Sequence, residues 1–247
     1  MQLPSQEQRL ASCLRPAGRP VMKQCWAGLG FFHWSIEPEI IAGRLPKNLW
    51  LDTFDGKGWI GIVPFFMQRI RPAFCPPLPW LSWFHELNVR TYVYDENGRP
   101  GVWFFSLDCN QPIAVELARK AFHLPYEHAK MSSQTHDGRI NYHSHRRSSS
   151  LPGADFDYPL AQDPRPAAPG TLEWFLVERY ALYSTDSHGR LFSGRVHHRP
   201  YRIEPMQNAE YSRIPFQLNG FPSPLGTPQS MLAAAPVDVS VFPLKPV

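Results

Sequence analysis

Long apolar runs and metal-type cysteine spacings are missing from this sequence of 247 residues. A helix that spans a bilayer needs about 20 apolar residues, and the N-terminus lacks the continuous apolar segment of a secretory signal. Cysteine is scarce and shows no CxxC spacing; the four are Cys13, Cys25, Cys75 and Cys109. The sequence therefore predicts a cytoplasmic protein with reduced thiols, no membrane contact, no metal site and no cofactor.

Concentrated charge is also missing. Charged residues make up 19% of the chain and the formal net charge is +4. The one basic pair with basic surroundings is Arg146-Arg147, close to His143 and His145. The sequence has no stripe of basic residues interleaved with aromatic ones, which a nucleic-acid-binding surface would need. There is no glycine-rich phosphate loop, and Ser106 does not lie in a nucleophile elbow. We expect a small-molecule ligand and no nucleic acid; the oligomeric state is left open.

Proline and aromatic residues are abundant, and they favour strands over helices. The chain has 27 prolines, and proline breaks helices and sheet interiors. The sequence predicts an α+β protein that is mostly antiparallel β, with one domain over residues 26–247 and a poorly ordered lead-in over residues 1–25. Helices are expected over 112–122 and 171–183. Irregular structure is expected over 71–80, 132–170 and 205–230, although residues 140–146 could form a strand.

The segment 84–94 is the most informative part of the sequence, because it alternates like a strand with two different faces. Side chains of a strand point alternately to opposite sides. One face carries an acid, an amide, a cation and two phenols: Glu86, Asn88, Arg90, Tyr92 and Tyr94. The other face carries Leu87, Val89, Thr91 and Val93 and is suited to packing under helices. The polar row is either a solvated surface or the wall of a ligand cleft.

Other polar residues have structural interpretations. Arg179 lies in an apolar surrounding, so we expect it to be buried and paired with a carboxylate such as Asp108 or Glu86. His197 and His198 are adjacent on a predicted strand, so they cannot both face one site, and metal binding is not expected.

Seven motifs, taken in order along the chain, carry a family resemblance, and they include Glu86 to Val93, Gly101 to Asp108 and Phe175 to Tyr180. From about Phe31 to the C-terminus, the chain resembles the bacterial DUF2071 family, also called YqjF-like proteins. The family is in turn similar to the acetoacetate decarboxylase-like superfamily. This resemblance implies a curved sheet that closes into a cone-shaped barrel, with a few helices outside and a cleft within.

The resemblance also implies which residues line the cleft. Acetoacetate decarboxylases use a lysine that forms a Schiff base with a keto acid. The matching position here is Tyr126, followed by Glu127, and a phenol cannot form an imine. The cleft glutamate of those enzymes matches Glu86. The predicted ligand site is therefore Glu86, Asn88, Arg90 and Tyr126, with Arg90 binding a carboxylate in bidentate geometry.

Two other functions stay open at this stage, and the sequence does not decide whether the protein is an enzyme. One is a lyase that acts on a keto acid through a relocated amine. The chain has only six lysines, and Lys130 would lie one helical turn beyond Tyr126 if a helix resumed there. The candidate catalytic residues of such an enzyme are Glu86 and Lys130. The other is an interaction module whose barrel is filled with side chains.

Overall fold

The computed structural model describes residues 2–224 and 226–247. Five short helices accompany sixteen strands in these residues. The helices are α1 Gln6–Ser12, α2 Pro38–Ala42, α3 Pro112–Phe122, α4 Leu172–Val177 and α5 Ile214–Leu218. The strands are β1 Met22–Ala27, β2 Leu29–Ile36, β3 Trp50–Leu51, β4 Gly58–Pro72, β5 Phe84–Tyr94, β6 Pro100–Cys109, β7 Tyr126–His136, β8 Arg139–Arg146, β9 Ala154–Pro159, β10 Arg165–Pro166, β11 Ala181–Thr185, β12 Leu191–His197, β13 Arg202–Pro205, β14 Ser230–Ala234, β15 Val237–Val241 and β16 Lys245–Pro246. No helix among these is long and apolar enough to cross a membrane.

Seven strands pair in a closed ring. The order around the ring is β4, β1, β15, β12, β11, β6 and β5, and β5 pairs again with β4. The ladders of this curved, mixed sheet are antiparallel, except that β6 pairs in parallel with β11 and β7. The expected closure of a curved, mostly antiparallel sheet is therefore confirmed, in the form of a ring.

Strand β4 holds two branches of the sheet because its two ends have different partners. Its Phe66–Pro72 end pairs with β1, and its Gly58–Ile62 end pairs with β2. β1 and β2 both run antiparallel to β4. They are joined by Gly28, which has φ +58°, and an added Cβ there would lie 2.4 Å from the Phe66 ring. Glycine is the residue that tolerates both conditions. From β2 the branch continues through β14 and β13 to β10.

Two apolar cores lie on the two sides of β5, as its alternation requires. The interior of the ring contains Phe65, Phe84 and Leu107. On the outer side, Leu87 and Val89 pack in a second core with aromatic residues of β8 and β9, such as Tyr142. Helices contribute to this core, as expected for the Leu/Val face, through Ile41 of α2 and Phe216 of α5, but β8 and β9 contribute to it as well.

Three other segments differ from the sequence-based expectation. Residues 1–25, expected to be poorly ordered, contain α1 and the start of β1. The predicted helix 171–183 ends at Val177, because the backbone of Glu178 leaves the helical region (φ −83°, ψ 76°) and the chain enters β11. Much of 132–170 is strand rather than irregular. The strand considered at 140–146 is confirmed as β8, whereas β9 was not expected, because its polar residues alternate with buried ones and mask the strand pattern in the composition.

Candidate functional site: a cavity inside the strand ring

The ring encloses a cavity of about 230 Å³. Most of its wall is apolar and comes from every part of the ring, including Trp26, Val63, Phe65, Leu107, Val196 and Val241. A few polar side chains also reach it. Mostly apolar concave sites with a small number of polar groups are the usual form of small-molecule sites.

Strand β5 supplies three of these polar groups. Glu86, Asn88 and Arg90 all line the cavity and are all buried, because alternate residues of β5 face the inside of the ring. Tyr92, on the same face, lies beyond the lining and exchanges a 2.7 Å hydrogen bond with His33. The polar row of the sequence is thus a cavity wall rather than a solvated surface.

Arg90 carries a buried charge with no carboxylate beside it. Its Nη2 donates to the backbone oxygen of Leu176 at 3.0 Å, and its guanidinium lies 5.3 Å from the ring centre of Phe31. Its Nε and the Oδ1 of Asn88 are buried without a hydrogen-bond partner, and Arg90 forms no ion pair with any residue that the structure describes. Buried charges are normally paired, so this arginine is an exception.

The neighbouring arginine, Arg179, is paired. Its Nη1 donates to Asp52 at 2.7 Å, and Arg9 of α1 binds both oxygens of the same carboxylate at 2.6 Å. The predicted pairing of Arg179 with Asp108 or Glu86 is wrong: Asp108 instead pairs with Arg146 at 2.7 Å. Burial lowers the pKa of Arg179, and Asp52 opposes that effect. Two arginines on one aspartate leave a net positive charge next to the cavity.

Glu86 and Tyr126 form the second polar contact of the cavity. The Tyr126 hydroxyl donates to Glu86 Oε2 at 2.7 Å. Burial raises the pKa of Glu86 from 4.5 to about 7, although this hydrogen bond acts in the opposite direction. Burial and the adjacent Glu86 raise the pKa of Tyr126 well above its usual value, so the phenol keeps its proton. Glu86 is therefore a group that can hold or release a proton near neutral pH.

The local fold brings Tyr126 to the wall. Helix α3 ends at Phe122, its C-cap residue His123 adopts a left-handed conformation with φ +52°, and Leu124-Pro125 leads into β7. Arg119 Nε donates to the backbone oxygen of Tyr126 at 2.8 Å and fixes the first residue of that strand. The four residues of the predicted ligand site, Glu86, Asn88, Arg90 and Tyr126, all line one cavity.

Comparison with known proteins agrees with the resemblance in the sequence. The family model of DUF2071, an uncharacterised conserved protein, matches residues 23–238. This chain belongs to the DUF2071 family. The DUF2071 protein is also 37% identical over 195 residues to the uncharacterised protein YqjF of Bacillus subtilis strain 168, covering 79% of this chain and 78% of YqjF.

Solved structures show the fold that the DUF2071 protein shares. Acetoacetate decarboxylase from Legionella pneumophila superposes with a TM-score of 0.61 at 13% identity, covering 100% of this chain and 97% of that one. The enduracididine biosynthesis enzyme MppR, complexed with pyruvate, superposes with a TM-score of 0.61 at 11% identity, covering 93% and 91% of the two chains. The DUF2071 protein therefore has the acetoacetate decarboxylase-like fold, and identities this low carry the fold alone.

Lys130 of the DUF2071 protein is not where the relocated-amine hypothesis needs it. The segment after Tyr126 is a strand, not a helix, so four residues span about 13 Å along β7. Lys130 is exposed and is not among the residues that line the cavity. The expectation that a helical turn would bring its amine back to the cleft is wrong.

Histidines do not form a site with these residues. His33 is buried, and burial together with the nearby Arg90 holds its pKa well below the usual range. His198 is buried and stacks on Tyr180 with ring centres 4.4 Å apart, while His197 is only half-buried. Within the described part of the chain, no group of three or more His, Cys, Asp or Glu residues has a metal-binding arrangement.

Some cavity residues were missed from the sequence. Arg179, Gln24, Arg71 and Tyr201 also line the cavity. The sequence predicts that Arg179 is buried, but not that it lies at the cavity. That position depends on the pairing of β11, which begins two residues later, with β6. Gln24 was missed because it lies in the segment expected to be a poorly ordered lead-in.

Proposed function

We propose that this protein binds a small molecule in its central cavity and that Arg90 holds a carboxylate of the ligand. One observation carries the proposal: Arg90 is a buried guanidinium on the cavity wall without a carboxylate among the described residues. Leaving a buried charge uncompensated costs several kcal/mol. A ligand carboxylate would supply the missing partner, and its two oxygens suit a guanidinium.

The surroundings of Arg90 support an anionic ligand. The buried Arg9–Asp52–Arg179 cluster carries one more positive than negative charge. Glu86 would not cancel this field below about pH 7, because its raised pKa keeps it largely protonated there. MppR, which has a similar fold, has been solved in complex with pyruvate, which is itself a carboxylate.

The test is a binding experiment with pairs of acids and their uncharged amides. Pyruvate, acetoacetate and benzoate are compared with pyruvamide, acetoacetamide and benzamide by thermal shift and calorimetry. A hydrogen bond to a charged group contributes about 1.5–3 kcal/mol, so an acid should bind about 10- to 100-fold more tightly than its amide. Arg90→Gln should remove this preference, and the exposed Arg69→Gln should keep it.

Two results would overturn the proposal. One is equal binding of acids and amides by the wild-type protein. The other is an unchanged preference in a folded Arg90→Gln variant. Arg90→Lys provides a second measurement, because it keeps the charge but loses the bidentate geometry. We expect Arg90→Lys to bind acids with an affinity between those of the wild type and Arg90→Gln.

A second candidate function is proton transfer to or from the bound ligand by Glu86, without an imine. It is favoured by the raised pKa of Glu86, about 7, inside the cavity. Glu86 would take a proton from the carbon next to a carbonyl and return it, which exchanges that position with solvent. Proton NMR in D2O would show faster exchange for a bound keto acid with wild type than with Glu86→Gln. A wild-type rate equal to that of buffer would refute this role.

Other functions have less support. A lyase that uses Lys130 would need an amine in the cavity, and Lys130 is exposed on β7. An interaction module with a filled interior does not fit a cavity of about 230 Å³. The four cysteines are free, which supports a reducing compartment, and we infer the cytoplasm.

A further inference from the structure

The cavity wall changes from polar to apolar along β5. Arg90, Asn88, Glu86 and Phe84 follow one another on its inner face, and Phe84 also lines the cavity. At about 3.3 Å per residue, the wall from Arg90 to Phe84 is about 20 Å long. Arg90 therefore lies at one end of a long wall, and the other end of that wall begins with an aromatic ring.

The end near Phe84 is apolar and reaches the surface. Ile113 and Leu117 of α3 line the cavity, yet they are 52% and 55% exposed. A side chain that both lines a cavity and contacts bulk solvent lies at its mouth. The two residues are four apart on α3 and so present one apolar edge.

More exposed apolar side chains lie in a segment that contacts the start of α3. In the segment that follows β4, Phe74, Leu78 and Trp80 are 82%, 44% and 65% exposed. This segment is held beside α3, since Gln111 Nε2 at the start of that helix donates to the backbone oxygen of Trp80 at 3.0 Å. We call the five side chains Phe74, Leu78, Trp80, Ile113 and Leu117 the apolar collar. Contiguous exposed apolar groups usually mark a binding surface.

We propose that the ligand of this cavity is an amphiphile: a carboxylate at Arg90 followed by an apolar chain that passes Phe84 and leaves at the apolar collar. The inference rests on the proposed function and names its ligand class. A short, polar acid would fill only the Arg90 end and leave the apolar wall without a partner. A chain that continues to the mouth buries its own apolar surface and the wall together, at about 0.8 kcal/mol per methylene.

The opposite orientation is the competing arrangement. Arg71 also lines the cavity, and it lies on β4 next to Pro72 and Ile70, which contribute to the apolar end. A carboxylate on Arg71 would place the tail inside and leave Arg90 unpaired. Arg71 is partly exposed, and its Nη1 already donates to the backbone oxygen of Arg69 at 3.0 Å. The buried, unpaired Arg90 is the stronger anion site.

The test is a chain-length series of straight-chain acids from butanoate to octadecanoate, titrated below their micelle concentrations by calorimetry. We expect affinity to rise about fourfold per methylene until the chain reaches the collar, and then to level off. Arg90→Gln should weaken all chain lengths by a similar factor, and by a much larger factor than Arg71→Gln. If Arg71→Gln weakens binding and Arg90→Gln does not, the orientation is refuted.

Collar variants test where the tail leaves. Ile113→Ser should weaken the longest acids several-fold and leave butanoate unchanged. Ile40→Ser is the matched control, since Ile40 is another exposed helical isoleucine, 40% exposed on α2 and absent from the cavity wall. Equal effects of both substitutions would overturn the exit at the collar.

The series separates the two proposals. Acids that bind through Arg90 with no gain in affinity for longer chains would refute the amphiphile and leave the carboxylate site standing. A complete lack of binding across the series, together with no binding of the shorter keto acids, would refute the proposed function itself. Affinity that grows with chain length but is untouched in Arg90→Gln would show apolar adsorption and overturn both.

Discussion

Replacing Glu86 by glutamine is expected to change how the stability of the protein depends on pH. Burial raises the pKa of Glu86 from 4.5 to about 7 in the folded protein. The folded state therefore holds the proton between these two values, whereas the unfolded chain releases it. As pH rises through this window, the unfolded chain is stabilised by the loss of the Glu86 proton, which the folded protein still holds. The free energy of unfolding of the wild type therefore falls.

The size of this effect follows from the pKa difference. One pKa unit corresponds to about 1.4 kcal/mol, so the full penalty is about 3 kcal/mol, and about 2 to 3 kcal/mol of it accumulates between pH 5 and pH 8. Glutamine has nearly the same shape, does not ionise, and can still accept the hydrogen bond from Tyr126. The Glu86→Gln variant should therefore gain stability relative to wild type, by that amount, as pH rises from 5 to 8.

Urea denaturation of both proteins at pH 5, 6, 7 and 8 measures the difference, in which all other titrating groups cancel. Glu96→Gln, which changes an exposed glutamate in a turn, is the matched control and should show no such trend. A difference between wild type and Glu86→Gln that stays constant across the series would refute the raised pKa. It would also remove the main support for proton transfer by Glu86.

Three further predictions concern other parts of the fold. Asp52→Asn leaves two buried arginines without their carboxylate and should destabilise the protein by about 3–5 kcal/mol in urea denaturation; an effect below 1 kcal/mol would contradict the cluster. Gly101→Ala would place a Cβ 2.7 Å from the backbone oxygen of Ala181, so we expect about 1–3 kcal/mol of destabilisation and a lower melting temperature; an unchanged melting temperature would contradict this packing. Borohydride with acetoacetate should leave the intact mass unchanged, since no lysine lines the cavity among the described residues; an adduct that disappears in Lys130→Met would show that Lys130 forms an imine and would restore the lyase hypothesis.

The cavity wall on β5 was predictable because period-two alternation is a local property of the sequence. Glu86, Asn88 and Arg90 face one side whatever the rest of the chain does. Which side is the interior depends on the ring, and the family resemblance supplied that information. Tyr126 could be placed only through the resemblance, since it comes from a different strand.

The ion pairs were not predictable for a related reason. Arg179 was expected to be buried, but its partner Asp52 lies in the short segment after β3, and Arg9 comes from a helix that was not expected to exist. Partners so distant along the chain leave no local pattern. The sequence predicts a helix longer than α4 because Tyr180 and Tyr183 also fit an apolar helical stripe. The helix ends earlier because the following residues form β11, which pairs with β6 and β12.

The closing strands of the ring have a consequence for how the protein folds. Met22 of β1 pairs with Val241 of β15, and β15 also pairs with β12, so the interior is complete only when two distant parts of the chain have met. Contacts between residues so far apart in the sequence slow folding. The edges of β1 and β12 that face β15 stay unpaired until β15 pairs with them. We expect folding intermediates in which the ligand cavity is an open trough, so a ligand that spans both sides of the seam would bind late and stabilise the last step.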